Sequence, residues 1–339
     1  MSVKETLFRL CEAQGVSGRR GAAQKAAAQE LSKYCQEVTV DKNGNVIGRI
    51  RVEHPEKHIL LDAHLDQIGL VVTSIDGQGF LHVAPCGGMD RRVLMGSPMT
   101  VWGKEPLCGI VCCLPPHLTD GEEKIPAVDE LCVDIGLTKQ QAEELVTAGD
   151  VVTFSAEPKR LLGERVTSPA LDNRAGAAAV IESARLLSKE ELSCNVTFLL
   201  SDKEETNTGG AKTAAFSLYP DEAVMVDVSF ATQPSVAPEK AAALGKGTMI
   251  GISPSLSKEV SDTLAALAGD EEIPHQFEVM GGATGTNADA VTVTRAGIRT
   301  GLLSIPQRNM HTPAEVVDLS DIKSTARLLA AYVIHGGVR

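Results

Sequence analysis

Glu204 and Glu205 stand side by side where an apolar, strand-like run, Val196 to Leu200, gives way to Thr, Asn and Gly. Two adjacent carboxylates repel each other unless something positive lies between or beside them, and a metal ion is the usual remedy. One member of such a pair can bind the ion while the other stays free as a base. Taken alone, the pair is a solvated acidic turn. Partners at other strand ends change that reading.

The run His58-Ile-Leu-Leu-Asp-Ala-His64 has the continuous apolar centre of a buried strand, and it ends at His64 with Asp66 two residues on. Residues two apart in an extended chain share a side. That suits a histidine ligand whose second nitrogen is oriented by a carboxylate. Asp172 precedes a helical pattern from Ala175 to Ser188. It is either the N-cap of that helix or a carboxylate placed to bridge two metals. The apolar run Ala223 to Val226 delivers Asp227 to its end, and His311 falls on a loop between an apolar strand near 300–306 and the last helix. Two histidines and three carboxylates (His64, Asp172, Glu205, Asp227, His311) make an N/O donor set that suits a pair of divalent ions. With one bridging carboxylate, each ion has three protein ligands and an open position, at a separation of about 3.5–4 Å. Glu204 is then the unused carboxylate and Asp66 the group that orients a histidine.

The elements that must position these residues alternate as in an α/β protein, whose sites lie at the carboxyl ends of its strands. Two helical patterns fill residues 2–35, and Asn43-Gly44 marks a hairpin. From about Ile68 to Arg160 the texture changes to short strand-like runs broken by Gly and Pro, with one helical pattern from Thr138 to Ala148. This segment reads as a small β-barrel or PDZ-like module inserted into the α/β protein. The expected division is a discontinuous catalytic domain, residues 1–67 and 161–339, around an inserted β-rich domain, residues 68–160.

The chain has 339 residues, of which 3% are aromatic, and a net charge of −12 from 32 basic and 44 acidic residues. Scarce stacking surfaces and an acidic balance both exclude nucleic acid as a partner. The same scarcity of aromatic platforms disfavours a sugar cleft between paired carboxylates. Eight cysteines without a Cys-x-x-Cys motif read as reduced core thiols. No stretch approaches transmembrane length, and the first residues carry charge where a signal peptide needs an apolar run. The expected location is the cytoplasm.

The ordered motifs resemble those of the tetrahedral (glutamyl) aminopeptidases, metallopeptidase family 42, which includes FrvX-like proteins. His64-Leu-Asp-Gln-Ile-Gly is similar to the family's His-x-Asp-Glu-Ile-Gly, Leu171-Asp-Asn-Arg to its Leu-Asp-Asp/Asn-Arg, and Glu204-Glu205 to its Glu-Glu. Asp227 matches the Asp of its Val-Asp strand end, and Arg308-Asn-Met-His-Thr-Pro its Arg-Tyr-Met-His-Thr/Ser-Pro.

The resemblance implies a phosphopeptidase-like three-layer α/β/α catalytic domain with an inserted dimerisation domain. It also implies two divalent ions per subunit, zinc or cobalt. Asp172 would bridge them, His64 and Asp227 would complete one site, and Glu205 and His311 the other. Glu204 would be the general base and Asp66 would support His64. Assembly would be a homo-oligomer, a dodecamer built from dimers, that trims N-terminal residues from short peptides. A deblocking or deacylating amidohydrolase at the same site, and a non-catalytic metal-binding assembly subunit, are the rival readings.

The chain departs from the family pattern at Thr206–Gly209, where an apolar-and-arginine stretch is usual, at Asn287 in place of Asp, and at Asn309 in place of Tyr. All three are expected to lie where a substrate side chain or amino terminus is contacted. Loss of the arginine implies a preference for neutral N-terminal residues over Glu or Asp.

Overall fold

A computed structural model describes residues 2–118 and 125–338. Helices α1 (Val3–Glu12) and α2 (Ala22–Leu31) precede a hairpin of β1 (Glu37–Val40) and β2 (Val46–Ile50), and β3 (His58–His64) follows. Six strands then close into a barrel: β4 (Gly69–Ile75), β5 (Leu81–Cys86), β6 (Pro98–Trp102), β7 (Pro106–Val111), β8 (Cys132–Asp134) and β9 (Val151–Phe154). Helix α3 (Lys139–Leu145) lies between β8 and β9 in the chain. The path returns through β10 (Lys159–Arg160) and β11 (Arg165–Ser168) to α4 (Leu171–Leu187) and β12 (Asn195–Ser201). Next come α5 (Glu204–Asn207), α6 (Gly209–Leu218), β13 (Glu222–Phe230), β14 (Thr248–Ile252), α7 (Lys258–Asp270) and β15 (His275–Val279). Helix α8 (Asn287–Thr292), β16 (Arg299–Gln307), β17 (Glu315–Asp318) and α9 (Leu319–His335) complete the chain.

The main sheet has eight strands in the order β1-β2-β12-β3-β13-β16-β14-β15. Its four central strands, β12, β3, β13 and β16, run parallel. Their carboxyl ends therefore lie side by side at one edge. Both faces of these strands are covered, which explains their nearly continuous apolar sequences. Ile59, Leu61 and Ala63 enter the larger core with α1, α2, α4 and α9, whereas Leu60 enters the smaller core with α6 and α8. This alternation carries Asp62 and His64 out on the same face as Leu60, and Asp227 on the same face as Ala223 and Met225. The architecture is α/β/α, as the family resemblance implied.

The barrel encloses its own core, with Leu70, Leu81, Val101, Val133 and Val152 at its centre. A closed barrel leaves no unpaired edge, so many short strands are stable there. The helical pattern expected from Thr138 to Ala148 is shorter in the structure. Thr138 caps α3 through the Gln141 amide, and the helix ends at Leu145. The turn at Asn43-Gly44 is a five-residue connection, because Asp41 accepts the amides of Asn43 and Asn45 and Gly44 takes a φ of 96°.

A small sheet, β10-β11-β17, joins the start of α4 to the segment after His311. Its register sets Ser168 opposite Glu315. This pairing brings distant parts of the chain to the carboxyl edge of the main sheet.

Candidate active site

His64 ends β3 and is only 2% exposed. Its Nε2 lies 3.1 Å from Asp172 Oδ1 and 3.6 Å from Asp227 Oδ1. Its Nδ1 meets the main-chain carbonyl of Asp66 at 3.1 Å and the Asp66 carboxylate at 3.6 Å. The Asp66 carboxylate has a second task. It accepts the amides of Glu204 at 3.1 Å and Glu205 at 3.3 Å, the first residues of the single turn α5. A negative charge at those free N–H groups fixes both glutamates after β12.

Asp172 precedes the regular part of α4. Its backbone (φ −78°, ψ 104°) is not helical, and the residue in the N-cap position is Ala170. The carboxylate instead reaches toward both histidines. Oδ1 faces His64, and Oδ2 lies 3.3 Å from His311 Nε2. His311 Nε2 is also 3.5 Å from Glu205 Oε2. Asp227 sits within β13, which continues to Phe230, so the apolar run does not end the strand at that carboxylate. The strand continues because Val228, Ser229 and Phe230 stay in register with Ile305, Pro306 and Gln307.

Six of the seven residues singled out by chemistry, His64, Asp172, Glu204, Glu205, Asp227 and His311, line one cleft of about 390 Å³. Asp66 lies behind it, 1% exposed. So many acidic groups cannot all ionise together without positive charge. Burial, opposed by His64 but reinforced by Asp227, pushes Glu204 up to about 7. Burial and the charge on Asp172 push Glu205 up to about 10. Asp227 is raised by burial, against the pull of His64. Burial would also raise Asp172, but hydrogen bonds from His311 and His64 outweigh it and hold this carboxyl below its usual range.

His64, Asp172 and Glu205 bring ligand atoms within 4.8 Å of one another. Glu205 Oε1 is buried and has no hydrogen-bond partner. An orphaned carboxylate oxygen beside histidine nitrogen and a second carboxylate is the donor chemistry that a divalent cation satisfies. The residues present fit such an ion.

Two positioning groups escaped the sequence reading. Glu315, 2% exposed, accepts the main-chain amide of Asp172 at 3.1 Å and that of His311 at 2.9 Å. Burial and the Asp172 charge push its carboxyl well above the ordinary range. Gly88, after β5 in the barrel segment, offers its carbonyl to His311 Nδ1 at 2.8 Å. Arg174, fully buried, closes the end of α1 by donating to the carbonyls of Leu10 at 2.6 Å and Ala13 at 3.3 Å, and burial lowers it to about 10.

The three departures from the family pattern do not touch the cleft. Asn287 is 3% exposed and donates to Asp62 at 3.0 Å and Ser201 at 2.9 Å, beneath the sheet edge. Thr206 faces the Ser17 hydroxyl at 3.1 Å, and Asn207 to Gly209 form the turn between α5 and α6. Asn309 turns to the Ala314 carbonyl. The expectation that these positions contact substrate is therefore corrected. Ser229, Phe230, Thr284 and Met310 line the cleft together with the acidic cluster.

The family model of the M42 glutamyl aminopeptidases matches residues 44–328. The chain belongs to the M42 glutamyl aminopeptidase family. It is a hydrolase of the peptidase class. The lysyl aminopeptidase of Pyrococcus furiosus is 33% identical over 337 residues, covering 97% of this chain and 96% of the relative. An aminopeptidase structure from Desulfurococcus kamchatkensis superposes with a TM-score of 0.93 at 30% identity, over 98% of this chain and 94% of that one. The TET1 peptidase of Pyrococcus horikoshii, described as assembling into a tetrahedron or a large octahedral shell, gives 0.87 at 30% identity, over 98% and 99% of the two chains. Among the described residues, no helix is long and apolar enough to cross a membrane.

Proposed function

We propose that this family member is a cytoplasmic, metal-dependent aminopeptidase that removes N-terminal residues from short peptides by a two-metal, glutamate-assisted attack of water. The observation that carries this reading is the Asp172 carboxylate, one oxygen 3.1 Å from His64 Nε2 and the other 3.3 Å from His311 Nε2. A carboxylate facing two histidines from its two oxygens is the donor pattern of a bridged pair of ions.

Asp172 is assigned as the bridge, His64 and Asp227 as the remaining ligands of one ion, and Glu205 and His311 as those of the other. Zinc or cobalt would supply Lewis acidity toward the scissile carbonyl and make water acidic enough to attack near neutral pH. Glu204 takes the proton of the attacking water and returns it to the leaving amine. In the metal-free cluster burial raises its carboxyl to about 7; ions on the neighbouring carboxylates would lower it toward the ionised form that a base needs. Asp66 holds the amide of Glu204 and faces His64 Nδ1, so it fixes base and ligand together. Free carboxylate oxygens at the cleft also suit the ammonium of a peptide's free N-terminus.

The discontinuous unit of residues 1–67 and 161–339 acts as the catalytic domain in this reading. The barrel-bearing unit, residues 68–160, acts as the dimerisation domain and gives a homo-oligomer, with a dodecamer built from dimers as the assembly. Its Gly88 carbonyl also orients His311.

The testing experiment is hydrolysis of aminoacyl substrates with free and N-acetylated amines, repeated after chelation and after restoring zinc or cobalt. The expected result is free-amine activity lost on chelation and regained with metal. Preference for acetylated substrates would move the reading to a deblocking amidohydrolase. Inactivity on every substrate with two ions bound would move it to an assembly subunit.

A further inference from the structure

Beyond Asp227 on β13, a second cavity of about 370 Å³ adjoins the catalytic cleft and shares Ser229, Phe230 and Thr284 with it. Ser229 is two residues after Asp227, so it projects on the same face about 7 Å farther along the strand. The cavity is therefore the space that opens next to the acidic cluster in the direction of β14 and β15.

Glu278, half-buried on β15, lines this cavity. Its carboxylate is held by two hydroxyls, Ser229 Oγ on Oε1 and Ser304 Oγ on Oε2 at 2.7 Å. An ionised carboxylate has roughly four acceptor positions, so two remain. Among the described residues no lysine or arginine lies within salt-bridge distance of it. Exposed Glu239 and Lys240 also line the cavity, but their charges oppose each other and leave Glu278 as its net charge. Met249, Val279 and Met280 supply apolar wall.

A cavity that sets a carboxylate without a basic partner among apolar side chains matches an aliphatic stem carrying a cation. It repels a carboxylate side chain, which would face Glu278 without a counter-charge. We infer that this cavity receives the side chain of the substrate's N-terminal residue, and that Glu278 selects lysine and arginine there. The inference rests on the aminopeptidase reading and adds the substrate class. It also supplies a reason for poor cleavage after Glu or Asp that does not involve Thr206–Gly209.

The test is kcat/KM of the metal-loaded protein on lysyl, arginyl, leucyl and glutamyl p-nitroanilides, for the parent chain and Glu278→Gln. The parent should favour the two basic substrates and be poorest on the glutamyl one. Glu278→Gln should lower the lysyl-to-leucyl ratio about 10- to 100-fold, the scale of one hydrogen bond to a charged group. On the parent alone, lysinamide should inhibit leucyl hydrolysis more tightly than norleucinamide, which has a similar stem without the ammonium. Equal inhibition by the two amides overturns the inference, as does glutamyl cleavage on a par with lysyl. An unmoved ratio in a folded Glu278→Gln protein overturns it too. In each of those cases leucyl hydrolysis persists and the aminopeptidase reading stands. Failure to cleave any of the four substrates would instead remove that reading and this inference with it.

Discussion

Replacing Glu315 by Gln tests whether the acidic cluster is set up from behind. Glu315 touches neither the cleft wall nor a side chain of the proposed ligand set. It accepts two main-chain amides, those of Asp172 and His311. Glutamine keeps one acceptor oxygen and turns an NH2 donor toward the other amide. One buried N–H is then left without a partner where Glu315 is 2% exposed. An unsatisfied buried donor costs about 1–3 kcal/mol. Part of that falls on folding and part on ion binding, because the displaced backbone carries two of the proposed ligands. Groups that orient metal ligands typically change metal affinity about 10- to 100-fold when altered. The assay is calorimetric titration of metal-stripped protein with zinc, with thermal melts before and after loading. Each tenfold loss of affinity should remove about 1.4 kcal/mol of metal-induced stabilisation. Unchanged zinc affinity, with the same fall in Tm in both melts, would show that Glu315 serves the fold alone and would refute the reasoning.

Gly88→Ala should disturb His311 from the barrel side, since a Cβ there would lie 2.9 Å from Nδ1 and 3.1 Å from Cε1 of that ring. A shift of the ring of about 1 Å can cost on the order of a hundredfold in rate; a variant with parental zinc content and turnover would contradict this. In the metal-free protein, stability should fall as pH rises. Glu204 and Glu205 are raised from 4.5 to about 7 and about 10, and raised groups keep protons that the unfolded chain has lost. Raised His64 acts in the same direction above 6.5, and lowered Asp172 acts only below 3.8, outside that window. Melts from about pH 5 to about pH 9 in chelator should show a declining Tm that flattens when zinc is restored; a rising Tm in chelator would oppose it. Light scattering at micromolar concentration should show a homo-oligomer, and a monomer would remove the dimerisation role of the barrel unit.

The parallel sheet was legible because its buried strands are nearly continuous apolar runs, each followed by a carboxylate or histidine. The barrel was legible as a change of texture, from long runs to short ones broken by Gly and Pro. Gly88 was hidden for a physical reason: it acts through a main-chain carbonyl, and nothing in its side chain announces chemistry. Its partner His311 lies 223 residues away. Glu315 was hidden because its role follows from the β11–β17 register, which sets it beside Ser168 and so near Asp172. Asn287 misled in the opposite sense. Its polarity suggested substrate contact, but it is turned inward to satisfy buried Asp62, which burial raises to about 7.

The central claim is a division of labour between adjacent glutamates, and metal-to-protein ratio measured together with turnover tests it most directly. Glu204→Gln should retain about two ions per chain and lose about 10²–10⁴-fold in kcat, the range for removing a general base. Glu205→Ala should lose metal as well as activity, because it removes the carboxylate that faces His311. Loss of ions from Glu204→Gln, or parental turnover with both ions in place, would contradict the account.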